Sequence, residues 1–123
     1  MAQGRGSAAR GLALGGFLAV CLLLGAADVA AAATHKIDWT FNADSWSQGG
    51  NFRAGDVLVF KYDPALHNVV AVDRSDYEEC RSSSGASYSS GNDHITLKAG
   101  TNYFICSLNG HCAMGMKMAV TAH

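Results

Sequence analysis

From Val57 to Ala122 the apolar residues return at every second position, in short runs separated by glycine, serine and aspartate, and this alternation restricts the fold more than any other feature. A period of two turns one side of an extended segment toward a core and the other toward solvent, whereas a helix needs a return every three or four residues. Five segments carry the pattern and are rich in Val, Ile, Tyr and Phe: "VLVFKY" (57–62), "HNVVAVD" (67–73), "HITLK" (94–98), "NYFICS" (102–107) and "MKMAVTA" (116–122). In "FRAGDVLVF" and "LKAGTNYFI" an Ala-Gly pair precedes the β run, which reads as a tight turn delivering the chain into a core strand. "RSDYEEC" (74–80) is helix-like but short, and "SSSGASYSSGND" (82–93) reads as a polar, solvated loop. Many short strands, glycine-rich turns and little helix predict an all-β fold, an antiparallel sandwich or barrel.

The start of the 123-residue chain obeys another rule. Arg5 and Arg10 precede "GLALGGFLAVCLLLGAADVAAAA", which closes on small residues as a secretory leader does. Its strongly apolar part, Leu12 to Leu24, is short for a bilayer span and is followed by Asp28. We assign residues 1–33 to the leader, with cleavage after Ala33 and Ala32 as the neighbouring alternative. Residues 34–123 then form one small domain. Seven Lys and Arg against nine Asp and Glu leave that domain a net charge of −2, so it has no basic footprint for nucleic acid or anionic membrane. It contains no Asn-x-Ser/Thr sequon, Pro/Ser-rich stalk or hydrophobic tail, and the expectation is a soluble, secreted, extracellular monomer without a membrane anchor.

Loss of the leader removes Cys21 and leaves Cys80, Cys106 and Cys112, an odd number for an oxidising compartment. The third sulfur must bridge to another chain, stay a free thiol, or be held by something else. "YFICSLNGHCAMGMKM" (103–118) favours the last, because Cys106, His111 and Met116 follow one another at five-residue steps across a strand end, a loop and the next strand. Thiolate, imidazole and thioether are a soft, mixed donor set that selects copper over magnesium, calcium or manganese. A fourth donor has to come from elsewhere, and His67, opening "HNVVAVD" after the turn "YDPAL", is the natural choice. Two histidines and a cysteine with a long axial methionine make the electron-transfer copper arrangement. Cys80 and Cys112 are left for a disulfide that would anchor the ligand loop to "RSDYEECR". The duller readings are a buried free thiol at Cys106, ordinary histidines at 67 and 111, Met114 in place of Met116, and a zinc site, for which methionine is a poor ligand. His94 and His123 are read as non-ligands. A start at Ala33 would also set His35 third from a free amine, a pattern able to chelate Cu(II) in a square plane; an incidental histidine is the alternative.

The pieces "WTFNADSW", "FRAGDVLVFKYDPALHNVVAVD", "YEEC" and "SGNDHITLKAGTNYFICSLNGHCAMGMKMAV" together resemble the phytocyanins, and within them the plantacyanin or basic blue protein branch. The resemblance covers nearly all of residues 39–120. It implies a cupredoxin-like Greek-key β-sandwich with one or two short helices. It also implies type 1 copper ligands at His67, Cys106, His111 and Met116, a Cys80–Cys112 disulfide, and a role for Asn68 in tying the two ligand loops together. The function implied is one-electron transfer by Cu(II)/Cu(I) cycling toward an unidentified redox partner in the apoplast or cell wall. With every coordination position filled by protein, an enzyme is not expected. The rival expectation is an extracellular cell-wall or reproductive-tissue interaction protein in which redox is secondary. Two departures stand out: "ATHKIDWTF" reaches Trp39 after a shorter first strand than such proteins usually have, and the charge is not basic.

Overall fold

The computed structural model describes residues 31–123, so the assignment of residues 1–33 to a leader falls almost wholly outside the described residues. Seven strands and two short helices follow in the order β1 (Thr34–Asp38), α1 (Ala43–Ser47), β2 (Val57–Lys61), β3 (Val69–Val72), α2 (Arg74–Glu79), β4 (Ala86–Tyr88), β5 (Asn92–Thr96), β6 (Gly100–Ile105) and β7 (Lys117–Ala122). They form two sheets, β1-β2-β5 and β4-β3-β6-β7, and the chain passes between them at β2 to β3, β4 to β5 and β5 to β6. The expected sandwich is the fold, with two short helices where one or two were expected.

Alternation explains which residues fill it. Leu58 and Phe60 of β2, Ile95 of β5, Val69 of β3, Phe104 of β6, and Met118 and Val120 of β7 meet between the sheets together with Trp39, whose ring lies edge-on to Phe60 at 5.2 Å. Val70 and Ile105, one residue out of phase, are buried too, in a second cluster with Cys112, Val72, Tyr77 and Cys80. That cluster explains why "VVAV" (69–72) is a continuous apolar run, since both faces of β3 are covered.

Three features differ from the sequence reading. The pairing is not all antiparallel: β1 runs parallel to β2, from Thr34 opposite Val57 to Asp38 opposite Lys61. A parallel neighbour needs a crossover, and residues 39–56 supply it by leaving the β1-β2-β5 sheet, passing along the β7 edge and returning. That route holds α1, which is too short for a helical period to register. There the Asp44 carboxylate accepts from Ala119 N at 3.3 Å and Ser47 Oγ donates to Ala119 O at 3.1 Å, which occupies backbone groups on the free edge of β7. Finally, the segment 82–93 is not simply a loop: β4 pairs with β3 and the start of β5 pairs with β2. Serine-rich edge strands carry too little apolar alternation to be seen.

Candidate metal centre

The connection from β6 to β7, residues 106–116, is a hairpin loop whose base is closed by backbone bonds among the sulfur- and imidazole-bearing residues. Cys106 N donates to Met116 O at 3.1 Å, and Met116 N donates to His111 O at 2.9 Å. Asn109 and Gly110 adopt left-handed conformations (φ 50° and 70°), which turns the loop back so that His111 N reaches Leu108 O at 2.9 Å. His67 comes from the other side, out of a turn in which Asp63 O accepts from Leu66 N and His67 N at 3.0 and 3.1 Å, and Asp63 Oδ1 accepts from Ala65 N at 2.9 Å.

The fold brings these donors together. His67 Nδ1 and His111 Nδ1 are 3.2 Å apart, and Cys106 Sγ lies 3.8 Å from the first and 3.6 Å from the second. A triangle with those sides has a point about 2 Å from all three atoms, the bond length first-row metals make to imidazole and slightly short of that to thiolate. The same atoms form the metal-competent cluster of His, Cys, Asp and Glu groups found among the described residues. Burial, and secondarily the charge of His111, hold the His67 pKa below its ordinary 6.5, against a smaller opposing effect of Asp63; this favours the neutral imidazole that ligates a metal. Cys106 is a buried free cysteine, and Met116 is fully buried in the same core cluster. The competing axial residue, Met114, is 67% exposed, and His94 sits in β5 opposite Val59, in the other sheet. His35 bonds Asp56 through Nε2 at 2.9 Å and is not part of the cluster.

The surroundings hold these segments in register. Asn68 Nδ2 donates to Ser107 Oγ and Ser107 N donates to Asn68 Oδ1, both at 2.9 Å, so a buried amide links the residue after His67 to the residue after Cys106. Trp39 Nε1 donates to Asn68 O at 2.8 Å from within the core. Cys80 and Cys112 form a disulfide that ties the end of α2 to the residue after His111. Phe41 went unnoticed in the sequence, yet its ring lies edge-on to both imidazoles, 5.9 Å from His67 and 5.2 Å from His111. Only its place two residues after Trp39 could have drawn attention to it.

Fold and site together define a cupredoxin-like sandwich with a soft-metal centre at one end. A family model described as a plastocyanin-like domain matches residues 39–116, and the chain belongs to that family. It is 50% identical to a chemocyanin of Lilium longiflorum and 51% identical to a basic blue protein of Arabidopsis thaliana, each over 99% of both chains. The solved structure of cucumber basic protein, a blue copper protein, superposes with a TM-score of 0.71 at 45% identity, covering 74% of this chain and all of that one. The phytocyanin resemblance carried by the motifs is therefore shown, as is copper as the cofactor the site is built to hold.

Proposed function

We propose that the chain is a secreted electron carrier whose single copper would be held by His67, Cys106, His111 and Met116. The observation that carries this is the donor triangle, in which two like ring nitrogens face each other beside a sulfur at spacings that suit a common metal. When bound, copper supplies a one-electron couple between Cu(II) and Cu(I). The residues do the rest. The Cys106 backbone is pinned to Met116, Asn68 bridges the two ligand segments, and the disulfide fixes the loop behind His111, so the donors keep one geometry. Donors from the chain fill the site, which leaves no place for a substrate and makes a carrier, not an enzyme, the reading we favour.

Electrons would enter and leave through the half-buried imidazoles. Phe41, Leu66 and Met114, the large apolar residues exposed among those described, belong to the same segments or pack on those rings. Residues 1–33 as a leader and the disulfide both suit an oxidising, extracellular compartment. No described helix is long and apolar enough to cross a membrane. The test is the visible absorption and EPR spectrum after Cu(II) is added to the disulfide-intact protein. An intense blue thiolate-to-copper band with narrow copper hyperfine splitting is expected. A colourless protein, or an ordinary tetragonal Cu(II) signal, would sink the proposal and leave the interaction reading in front.

A further inference from the structure

At the β1 end of the sandwich a carboxylate is buried with no Lys or Arg partner among the described residues. Asp56 is 3% exposed, and its side-chain partner is His35, through Nε2 at 2.9 Å. Its other bonds come from backbone N–H groups, Arg53 N to Oδ2 at 3.1 Å and Ala33 N to Oδ1 at 3.0 Å. Ala33 is held in place by a second bond, since Val57 N donates to Ala33 O at 2.9 Å, one step before the β1–β2 register begins. A buried carboxylate gains most from a cationic donor at that distance.

Small residues at one and three positions before a cut are what a leader-processing enzyme reads. The alanine run satisfies that rule for a cut after Ala32, with Ala30 and Ala32, and equally for a cut after Ala33, with Ala31 and Ala33. The sequence therefore does not choose, but Asp56 does. A cut after Ala33 would delete one of the carboxylate's three N–H donors. A cut after Ala32 would keep that nitrogen and turn it into an ammonium.

We propose that maturation cuts between Ala32 and Ala33, one residue earlier than the run alone led us to assign, and that the freed Ala33 ammonium docks on Asp56 as the clamp that holds β1 to β2. The carboxylate then grips both ends of Ala33-Thr34-His35, the α-amine and the imidazole, which keeps this tripeptide from chelating Cu(II) in competition with the metal centre. His35 and Arg53 flank the clamp, and the C-terminal His123 is bonded to Phe52 and Ala54 beside it.

The proposal rests on the reading of the chain as secreted, and the first measurement separates the two: the intact mass of protein exported from a secreting host. A mass beginning at Ala33 is expected. A mass beginning at Thr34, or upstream of Ala33, overturns the clamp alone, whereas an unprocessed chain overturns the secreted reading as well. On protein that starts at Ala33, NMR titration of the α-amine should give a pKa about one unit or more above its ordinary range near 8, returning to that range in Asp56→Asn. An ordinary value in the wild-type protein overturns the docking. Should Asp56→Asn not fold, protein made to start at Thr34 replaces it. Its unfolding equilibrium constant should be roughly tenfold larger than that of the Ala33 form, the loss expected of one charge-assisted bond, and equal constants would refute the clamp.

Discussion

The four donor residues are not interchangeable, and each fails differently when changed. Cys106→Ser removes the soft sulfur while nearly keeping the volume of a side chain buried in the core, so the blue band should vanish while the fold survives; absorption and far-UV CD together check this. Met116→Gln should keep the protein blue and lower its reduction potential, measured by voltammetry; an unchanged potential would mean that Met116 is not axial. Asn68→Ala strips both side-chain bonds to Ser107, an exposed residue whose freed N–H and hydroxyl can turn to water, at a cost of about 0.5–1.5 kcal/mol per bond in denaturant unfolding of the copper-free protein. A matching loss of copper affinity would separate positioning of the ligands from a purely structural role.

At the scale of elements, the site depends on two connections that hold no ligand. The disulfide closes a 32-residue separation between α2 and the ligand loop. Replacing Cys80 and Cys112 with alanine should cost about 3–4 kcal/mol in the chain-entropy model and broaden the copper EPR signal as His111 loses its anchor. The β3–β4 pairing depends on Gly85, where a Cβ would lie 2.5 Å from Ala71 O and from Val70 Cγ1. Backbone cannot yield as a flexible side-chain tip does, so Gly85→Ala should destabilise by about 1–3 kcal/mol in the same denaturation experiment. At this scale the sequence was read unevenly. Strands buried on alternate residues were legible to within a residue or two, and α2 was legible from "RSDYEE", whose N-cap Asp73 accepts from Asp76 N. β4 and α1 were not, because Ala86–Tyr88 and Ala43–Ser47 are too short for periodicity and owe their conformation to the neighbours they cover.

For the whole molecule, stability of the copper-free protein should form a plateau whose edges are set by named groups. On the acid side His67, held below 6.5 by burial, takes up a proton more readily when unfolded, so stability begins to fall as pH drops through 6.5. Asp56 follows. Its bonds to His35, Ala33 N and Arg53 N lower its pKa from 3.8 to about 2, so its contribution is present above about 4 and is lost between there and 2. On the alkaline side burial, reinforced by a hydrogen bond to Asp93, pushes Tyr62 up to about 12. The folded state then holds that proton more tightly than the unfolded chain, so its contribution is present below 10 and is lost as pH climbs through 12. Denaturation midpoints from pH 2 to 12 check both edges; a midpoint unmoved below pH 4 would refute the Asp56 assignment.

The chemistry and the class of fold were determined by the sequence alone, for a physical reason: donor type is a property of the side chain, and a period of two is a property of extended backbone. Cys106, His111 and Met116 could be grouped because one hairpin loop carries them all. What only the tertiary structure decided are relations between residues far apart in the chain. His67 meets His111 across the 3.2 Å between their ring nitrogens because two loops converge at one end of a sandwich. Phe41 closes on both rings, β1 joins β2 in parallel because its crossover leaves the sheet, and Ala33 N reaches Asp56, 23 residues further on in the chain.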